Sequence, residues 1–212
     1  MPAPIFVPNH PLISHNLASL RHKDTPPMIF RGLLREVAQF LFYEATRDVR
    51  LEAVEVETPL GVMAACHRLA ESIGIVPVLR AGLGMADAML DAHPEASVWH
   101  IGVERDHTSF EPGTYYKKLP SAGRVDLGLV VDPMLATGGS AIATLTLLKG
   151  AGLKRMKFIG LIAAPEGVEA LSAAHPDVDI FLAALDSRLN EKKYIVPGLG
   201  DAGDRQFGTE PA

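Results

Sequence analysis

Apolar positions in this chain recur with two periods, and the switch between them sets the expected order of elements. Residues 11–22 place Leu12, His15 and Ser19 or Leu20 at helical spacing, which predicts a short helix. Residues 27–48 carry a fuller stripe, Phe30, Leu33, Leu34, Val37, Phe40 and Leu41, which predicts a longer helix with a core or subunit-contact face. Residues 53–57 alternate apolar and acidic, as an exposed strand would, and residues 60–72 read as a return to helix stopped by Gly74. From there strands and helices alternate. Strands are expected at 75–79, 98–103, 127–131, 158–163 and 178–183, with helices at 84–92, 140–149 and 166–174. That order predicts an α/β fold with a mainly parallel sheet covered on both faces. Ligands of such sheets sit at the carboxyl ends of the strands, so the loops after Leu79, Val103 and Val131 become the place to look.

Composition narrows the picture. A chain of 212 residues with 48% hydrophobic residues suits one domain spanning 1–212 with a well-buried core. The net charge of −5 argues against a general nucleic-acid surface, which needs clustered Lys and Arg. Cys66 is the single cysteine, so an internal disulfide is excluded and a reducing cytoplasm fits. Its neighbours Val62, Met63, Leu69 and Ala70 suggest a buried structural thiol on the helix expected there. Residues 1–8 lack a basic start and are broken by Pro2, Pro4 and Pro8, so no secretory leader is expected. No apolar run is long enough to predict a membrane span.

The chemistry concentrates in three strings. In the first, a Val-rich strand ends at Asp132 and is followed by Pro133, Met134, Leu135, Ala136, Thr137, Gly138, Gly139 and Ser140, where a helix begins. Small residues leading into a helix start make an anion cradle, with unpaired backbone N–H groups and two hydroxyls facing the ligand. Asp132 would repel a phosphate, so it suits sugar hydroxyls or a metal. A Gly-Gly pair by itself commonly just makes a turn, and neither Gly-Lys-Ser/Thr nor Gly-x-Gly-x-x-Gly is present here. In the second string, Arg80 leads Ala81, Gly82, Leu83 and Gly84 out of a strand, so a bidentate cation stands beside a backbone open to close approach. Arg105 follows a further strand, a position usually taken by a solvated charge. Residues 112–120 after it form a polar excursion long enough to cover a site. In the third string, residues 194–205 interleave Tyr194, Ile195, Val196 and Leu199 with Gly198, Gly200 and Gly203, which is unlike a disordered tail.

Together these strings resemble the type I phosphoribosyltransferases, and specifically the uracil phosphoribosyltransferases. The similarity runs from about His10 to Thr209. Pro133 stands where many relatives outside the uracil branch carry a second acidic residue. The resemblance implies a phosphoribosyltransferase fold with residues 194–207 as a base-binding hood. It implies transfer of phosphoribose from 5-phosphoribosyl diphosphate (PRPP) to uracil, giving UMP and diphosphate. By the same likeness Arg80, Arg105, Asp132, Pro133, Met134, Leu135, Ala136, Thr137, Gly138, Gly139, Ser140 and Asp201 would bind PRPP. Ile195, Gly200, Asp201 and Ala202 would bind uracil, with Asp132, Arg105 and Asp201 closest to the chemistry. Mg2+ carried on the diphosphate, a homo-oligomer, a cytoplasmic location and GTP as an allosteric activator are further family expectations. The competing reading is a PRPP-sensing, pyrimidine-responsive RNA-binding regulator on the same fold, which the net charge weakens.

Overall fold

The structure is a computed structural model, and it describes residues 3–105, 112–117 and 124–209. Strand β1 (Ile5–Phe6) precedes two helices, α1 (Pro11–Arg21) and α2 (Pro27–Ala45). A hairpin of β2 (Leu51–Thr58) and β3 (Gly61–Leu69) follows. Next come β4 (Ile73–Pro77), α3 (Leu83–Ala92), β5 (Ser97–Val98), β6 (Ile101–Arg105), β7 (Pro112–Lys117) and β8 (Leu127–Val131). The remainder is β9 (Met134–Leu135), α4 (Gly139–Gly150), β10 (Met156–Ala163), α5 (Pro165–Ala174), β11 (Asp179–Leu185), β12 (Arg188–Leu189), β13 (Ile195–Val196) and α6 (Ala202–Phe207).

The main sheet has the order β1-β11-β10-β8-β4-β5, with β9 added to the end of β10, and each of its pairings is parallel. Parallel strands need crossovers, and the helices supplying them cover both faces. Successive side chains of a strand point to opposite faces, and β8 shows the division. Leu127, Leu129 and Val131 join the core under α1, α2 and α3, whereas Val130 joins the core under α4 and α5. The apolar stripe of α2 turns inward, with Phe30, Leu34, Val37 and Leu41 fully buried. At the amino-terminal end of the sheet the buried Lys157 ammonium is held by Asp48 Oδ1 at 2.5 Å and the Ala45 carbonyl at 2.7 Å.

Three expectations are corrected. Residues 61–69 form strand β3 rather than a helix, pairing antiparallel with β2 across the turn Thr58–Gly61. Thr58 shapes that turn, its hydroxyl donating to the Gly61 carbonyl and accepting from the Leu60 N–H. The helix-favouring Met63, Ala64, Ala65 and Leu69 are overridden by the partner strand. Cys66 therefore lies opposite Val54, half-buried on the hairpin instead of inside a helix. The strand expected over residues 98–103 divides at Trp99. Its first part, β5, joins the main sheet, and its second, β6, pairs antiparallel with β7.

Glu71, between β3 and β4, is buried and accepts from the Arg50 N–H at 3.0 Å, Arg50 Nε at 2.9 Å and Arg155 Nη1 at 2.8 Å. The Arg50 backbone N–H, ahead of the two guanidinium groups, holds its carboxyl below the ordinary value even though burial opposes this. A depressed carboxyl stabilises the fold above its unfolded value, about 4.3, and that contribution disappears as pH falls through the folded value. Thermal unfolding followed from pH 6 to pH 3 should therefore show a steeper acid loss in the parent than in Glu71→Gln. Parallel curves would remove Glu71 from the acid response.

Candidate active site

Strand β8 is buried along its whole length and stops at Asp132, which is half-buried and donates its N–H to the Ile159 carbonyl at 3.1 Å. Asp132 Oδ1 accepts from the Met134 N–H at 3.3 Å. The next residues alternate between anchoring and lining. Pro133 has no N–H, and its carbonyl accepts from Leu161 and Ile162 at 3.0 and 3.1 Å. Leu135 is packed in the core, and its carbonyl accepts from Ala164 at 3.0 Å. Asp132, Met134, Ala136 and Ser140 face the cavity between these anchors. Gly138, at φ +81°, caps α4 without a side-chain hydrogen bond. The first-turn N–H groups of α4 are thus not taken by a capping side chain, which is the geometry of an anion cradle.

Helix α5 presses directly on this loop through Gly167, which the sequence reading did not single out. A methyl group there would lie 2.4 Å from the Ala136 carbonyl oxygen and 2.5 Å from that of Leu135. Both are backbone atoms and cannot swing aside. Gly167→Ala is expected to cost about 1–3 kcal/mol, as overpacking typically does, and to displace the loop. Chemical denaturation would measure the loss, and an unchanged midpoint would contradict the packing argument.

The Arg80 loop follows β4, and its Leu79–Arg80 peptide is cis. The Arg80 carbonyl accepts from the Leu83 N–H at 3.1 Å, and the Ala81 carbonyl accepts from Gln206 Nε2 at 2.8 Å. The N–H groups of Arg80 and Ala81 have no acceptor among the described residues. This loop therefore ties back its oxygens and leaves donors available, as an anion requires. The Arg80 side chain is largely exposed, with Nη2 3.6 Å from Asp204 Oδ1.

The carboxy-terminal segment is held from several directions. Strand β13 pairs with β12, and Ile195 is buried. Asp186 accepts from Arg21 Nη2 at 2.5 Å and from the Gly198 N–H at 2.9 Å. Arg205 donates to the carbonyls of Leu20, Leu199 and His22, and its guanidinium lies 4.5 Å from the Phe30 ring centre. Burial lowers its pKa. Asp201 is the amino-terminal cap of α6, accepting from the Asp204 N–H at 2.9 Å, and Gly200 takes φ +77°.

These pieces meet in one cavity of about 350 Å³ lined by Asp132, Met134, Ala136 and Ser140 from the first string. Ala81 comes from the second, and Ile195, Gly200, Asp201, Ala202 and Gly203 from the third. Its size is that of a small-ligand cleft, roughly 300–1,000 Å³. Thr137, Gly138 and Gly139 sit in the same loop without lining the cavity, and Arg80 stands beside Ala81. Arg105 closes β6, its backbone paired with Pro112. Residues 106–111 and 118–123, which include part of the polar excursion, lie outside the described residues. Tyr194, which opens the third string, also lines the cavity, as do Lys192 and Lys193, which sequence reasoning missed. Asn190 brings them there, its side-chain oxygen accepting from the N–H groups of Lys192 and Tyr194 at 3.0 and 2.9 Å.

A larger cleft, about 540 Å³, opens at the other end of the sheet between Phe6, Phe181 and the end of α2. Its buried cation, Lys157, is already paired, and among the described residues no small-residue loop lines it. Volume points there, but chemistry points to the smaller cavity, which we take as the site. Among the described residues no group of three or more His, Cys, Asp or Glu is poised to cage a metal. Asp132 and Asp201 nevertheless line the cavity together. Two carboxylates fit Mg2+ held largely by a ligand's phosphates, the ion's usual mode in such sites.

Comparison with known proteins agrees with the geometry. A uracil phosphoribosyltransferase of Roseiflexus sp. (strain RS-1) is 58% identical over 207 residues, covering 98% of this chain and 99% of that protein. One from Symbiobacterium thermophilum is 56% identical over 211 residues, covering 97% and 99%. Among solved structures, the AQ2163 protein from Aquifex aeolicus superposes with a TM-score of 0.91 at 37% identity, covering 98% of this chain and all of that one. A hypoxanthine-guanine phosphoribosyltransferase from Bacillus anthracis str. 'Ames Ancestor' superposes with a TM-score of 0.51 at 14% identity, covering 76% and 80%, a likeness of fold alone. Residues 7–209 match the sequence description of uracil phosphoribosyltransferase, and with relatives this similar over nearly their full length, the chain belongs to the uracil phosphoribosyltransferase family.

Proposed function

We propose that this chain transfers the phosphoribosyl group of PRPP to N1 of uracil, releasing diphosphate and forming UMP. The observation that carries this reading is the meeting, in one cavity, of the loop after β8 with the backbone-rich segment around Ala202. The whole chain then acts as one phosphoribosyltransferase domain, with Tyr194 to Phe207 as its base-binding hood.

In this reading the 5′-phosphate sits on the amino-terminal turn of α4, on the N–H groups and hydroxyls of Thr137, Gly138, Gly139 and Ser140. The N–H groups of Arg80 and Ala81, with the guanidinium groups of Arg80 and Arg105, take the diphosphate. As the C1′–O bond breaks, negative charge grows on the leaving group and positive charge on the ribose. Cations and N–H donors already in place stabilise the first, and Asp132 stabilises the second while holding the ribose hydroxyls. Pro133, Met134 and Leu135 set the main chain that aims Asp132. Uracil N1 attacks from the opposite face, so C1′ inverts, and the N1 proton is lost with Asp201 at hand to accept it. Asp132 and Asp201, which line the cavity, would be the carboxylates nearest Mg2+ carried on the diphosphate, and the ion would supply charge neutralisation when bound. Ile195, Gly200 and Ala202 offer the main-chain donors and acceptors that match the uracil edge.

Incubation with uracil, PRPP and Mg2+ should yield UMP, and cytosine or hypoxanthine in place of uracil should yield no nucleotide. Absence of UMP would refute the assignment. Binding of a structured RNA without turnover would instead favour the regulator reading, which gains no support from the relatives named above. GTP activation, a homo-oligomer and a cytoplasmic location rest on the family resemblance. Sedimentation and turnover with and without GTP test the first two.

A further inference from the structure

Gln206 lies outside the cavity lining, yet it is 1% exposed, and its side-chain amide donates to the Ala81 carbonyl, 2.8 Å away. A carbonyl can only accept, so the NH2 end of the amide must face Ala81. The Oε1 end is buried with no partner among the described residues. Burying an unpaired amide oxygen is unfavourable, and a thioether or hydrocarbon of similar length would avoid it. What such a side chain would lose is the hold on the Ala81 carbonyl. That peptide is fixed at both ends, because its N–H, on Gly82, donates to the Val78 carbonyl at 2.9 Å. With the Gln206 grip gone, the carbonyl dipole is free to tilt toward the space served by the Arg80 and Ala81 N–H groups, where it would meet an anion with the wrong sign.

We propose that Gln206 is a positioning residue for the diphosphate, acting through the Ala81 carbonyl; this rests on the phosphoribosyl-transfer reading above. Gly84 supplies an independent handle. A methyl group there would lie 2.4 Å from Gln206 Oε1 and 3.1 Å from Leu34 Cδ2. Both are ends of flexible side chains, so Gly84→Ala pushes the amide aside without removing it.

The test measures binding of inorganic diphosphate with Mg2+, and separately of UMP, to the parent, Gln206→Met and Gly84→Ala, alongside PRPP kinetics and melting temperature. Both variants should bind diphosphate on the order of tenfold more weakly, the loss expected for one hydrogen bond, with KM for PRPP rising in step. UMP carries no diphosphate, so its affinity should hold, kcat should change less than about threefold, and the melting temperature should stay within roughly 2 °C. Diphosphate affinity equal to the parent's would overturn the proposal. So would a parallel loss of UMP binding and melting temperature, which marks a merely structural role. A parent that binds neither diphosphate nor UMP would instead overturn the transferase reading itself.

Discussion

The variant Ala202→Pro is expected to fold, to keep its PRPP affinity and to lose nearly all use of uracil. Ala202 is the first residue of α6, and Asp201 is its cap. The N–H at that helical position has no intrahelical acceptor, so proline is well tolerated there. Asp201, at φ −78° and ψ 112°, already has the extended conformation that a residue before proline prefers. The substitution therefore removes the N–H of a residue that lines the cavity while sparing the helix. A uracil carbonyl left unpaired in a buried pocket costs about 1–3 kcal/mol, or roughly 5- to 150-fold, and the proline ring adds bulk where the base would sit. We expect kcat/KM for uracil to fall by 10²-fold or more, on the order of that penalty plus the steric term. Ala202→Ser, which keeps the N–H, should be mild. Steady-state kinetics at saturating PRPP decide the matter: a fully active proline variant would remove this segment from base recognition.

Asp132→Asn is expected to lower kcat by about 10²–10³-fold, the usual consequence of deleting an electrostatic partner of the transition state. The asparagine oxygen can still accept from the Met134 N–H, and the Asp132 backbone bond to Ile159 is untouched. Loop geometry and stability should survive. What disappears is the negative charge opposite a cationic ribose, so the loss belongs in kcat more than in KM for PRPP. Rapid-quench measurement of the first turnover would place it. A chemical step as fast as the parent's would make Asp132 structural and require another group to stabilise the ribose.

The parts of the site legible from sequence were those written in contiguous strings. The run from Asp132 to Ser140 shows a strand, a small-residue loop and a helix start within a few residues, and the structure builds all three in place. The parts that stayed hidden depend on distant contacts. Gln206 matters through a carbonyl 125 positions earlier in the chain, and no local pattern marks that bond. Lys192 and Lys193 carry no local signal, because the turn that brings them to the cavity is built by the side chain of Asn190. The hairpin was misread for a related reason. Residues 61–69 have helix-compatible content, and only pairing with residues 51–58 makes them a strand, although the Thr58–Gly61 turn carried a local hint in Pro59 and Gly61. The main sheet was easier, since strands buried on both faces read as unbroken apolar runs.

The anchoring of α6 bears on any attempt to give this scaffold a new base preference. Arg205 is seated on carbonyls of Leu20 and His22, and the Gln206 carbonyl accepts from Arg31 Nη1 at 2.6 Å. A transplant of residues 195–202 from a donor with another specificity would break off in the middle of these attachments. The incoming loop would inherit the recipient's α1, α2 and Arg80 turn as its foundation. A workable graft has to carry the matching partners at positions 20–22, 31, 81 and 84 along with the segment that touches the base.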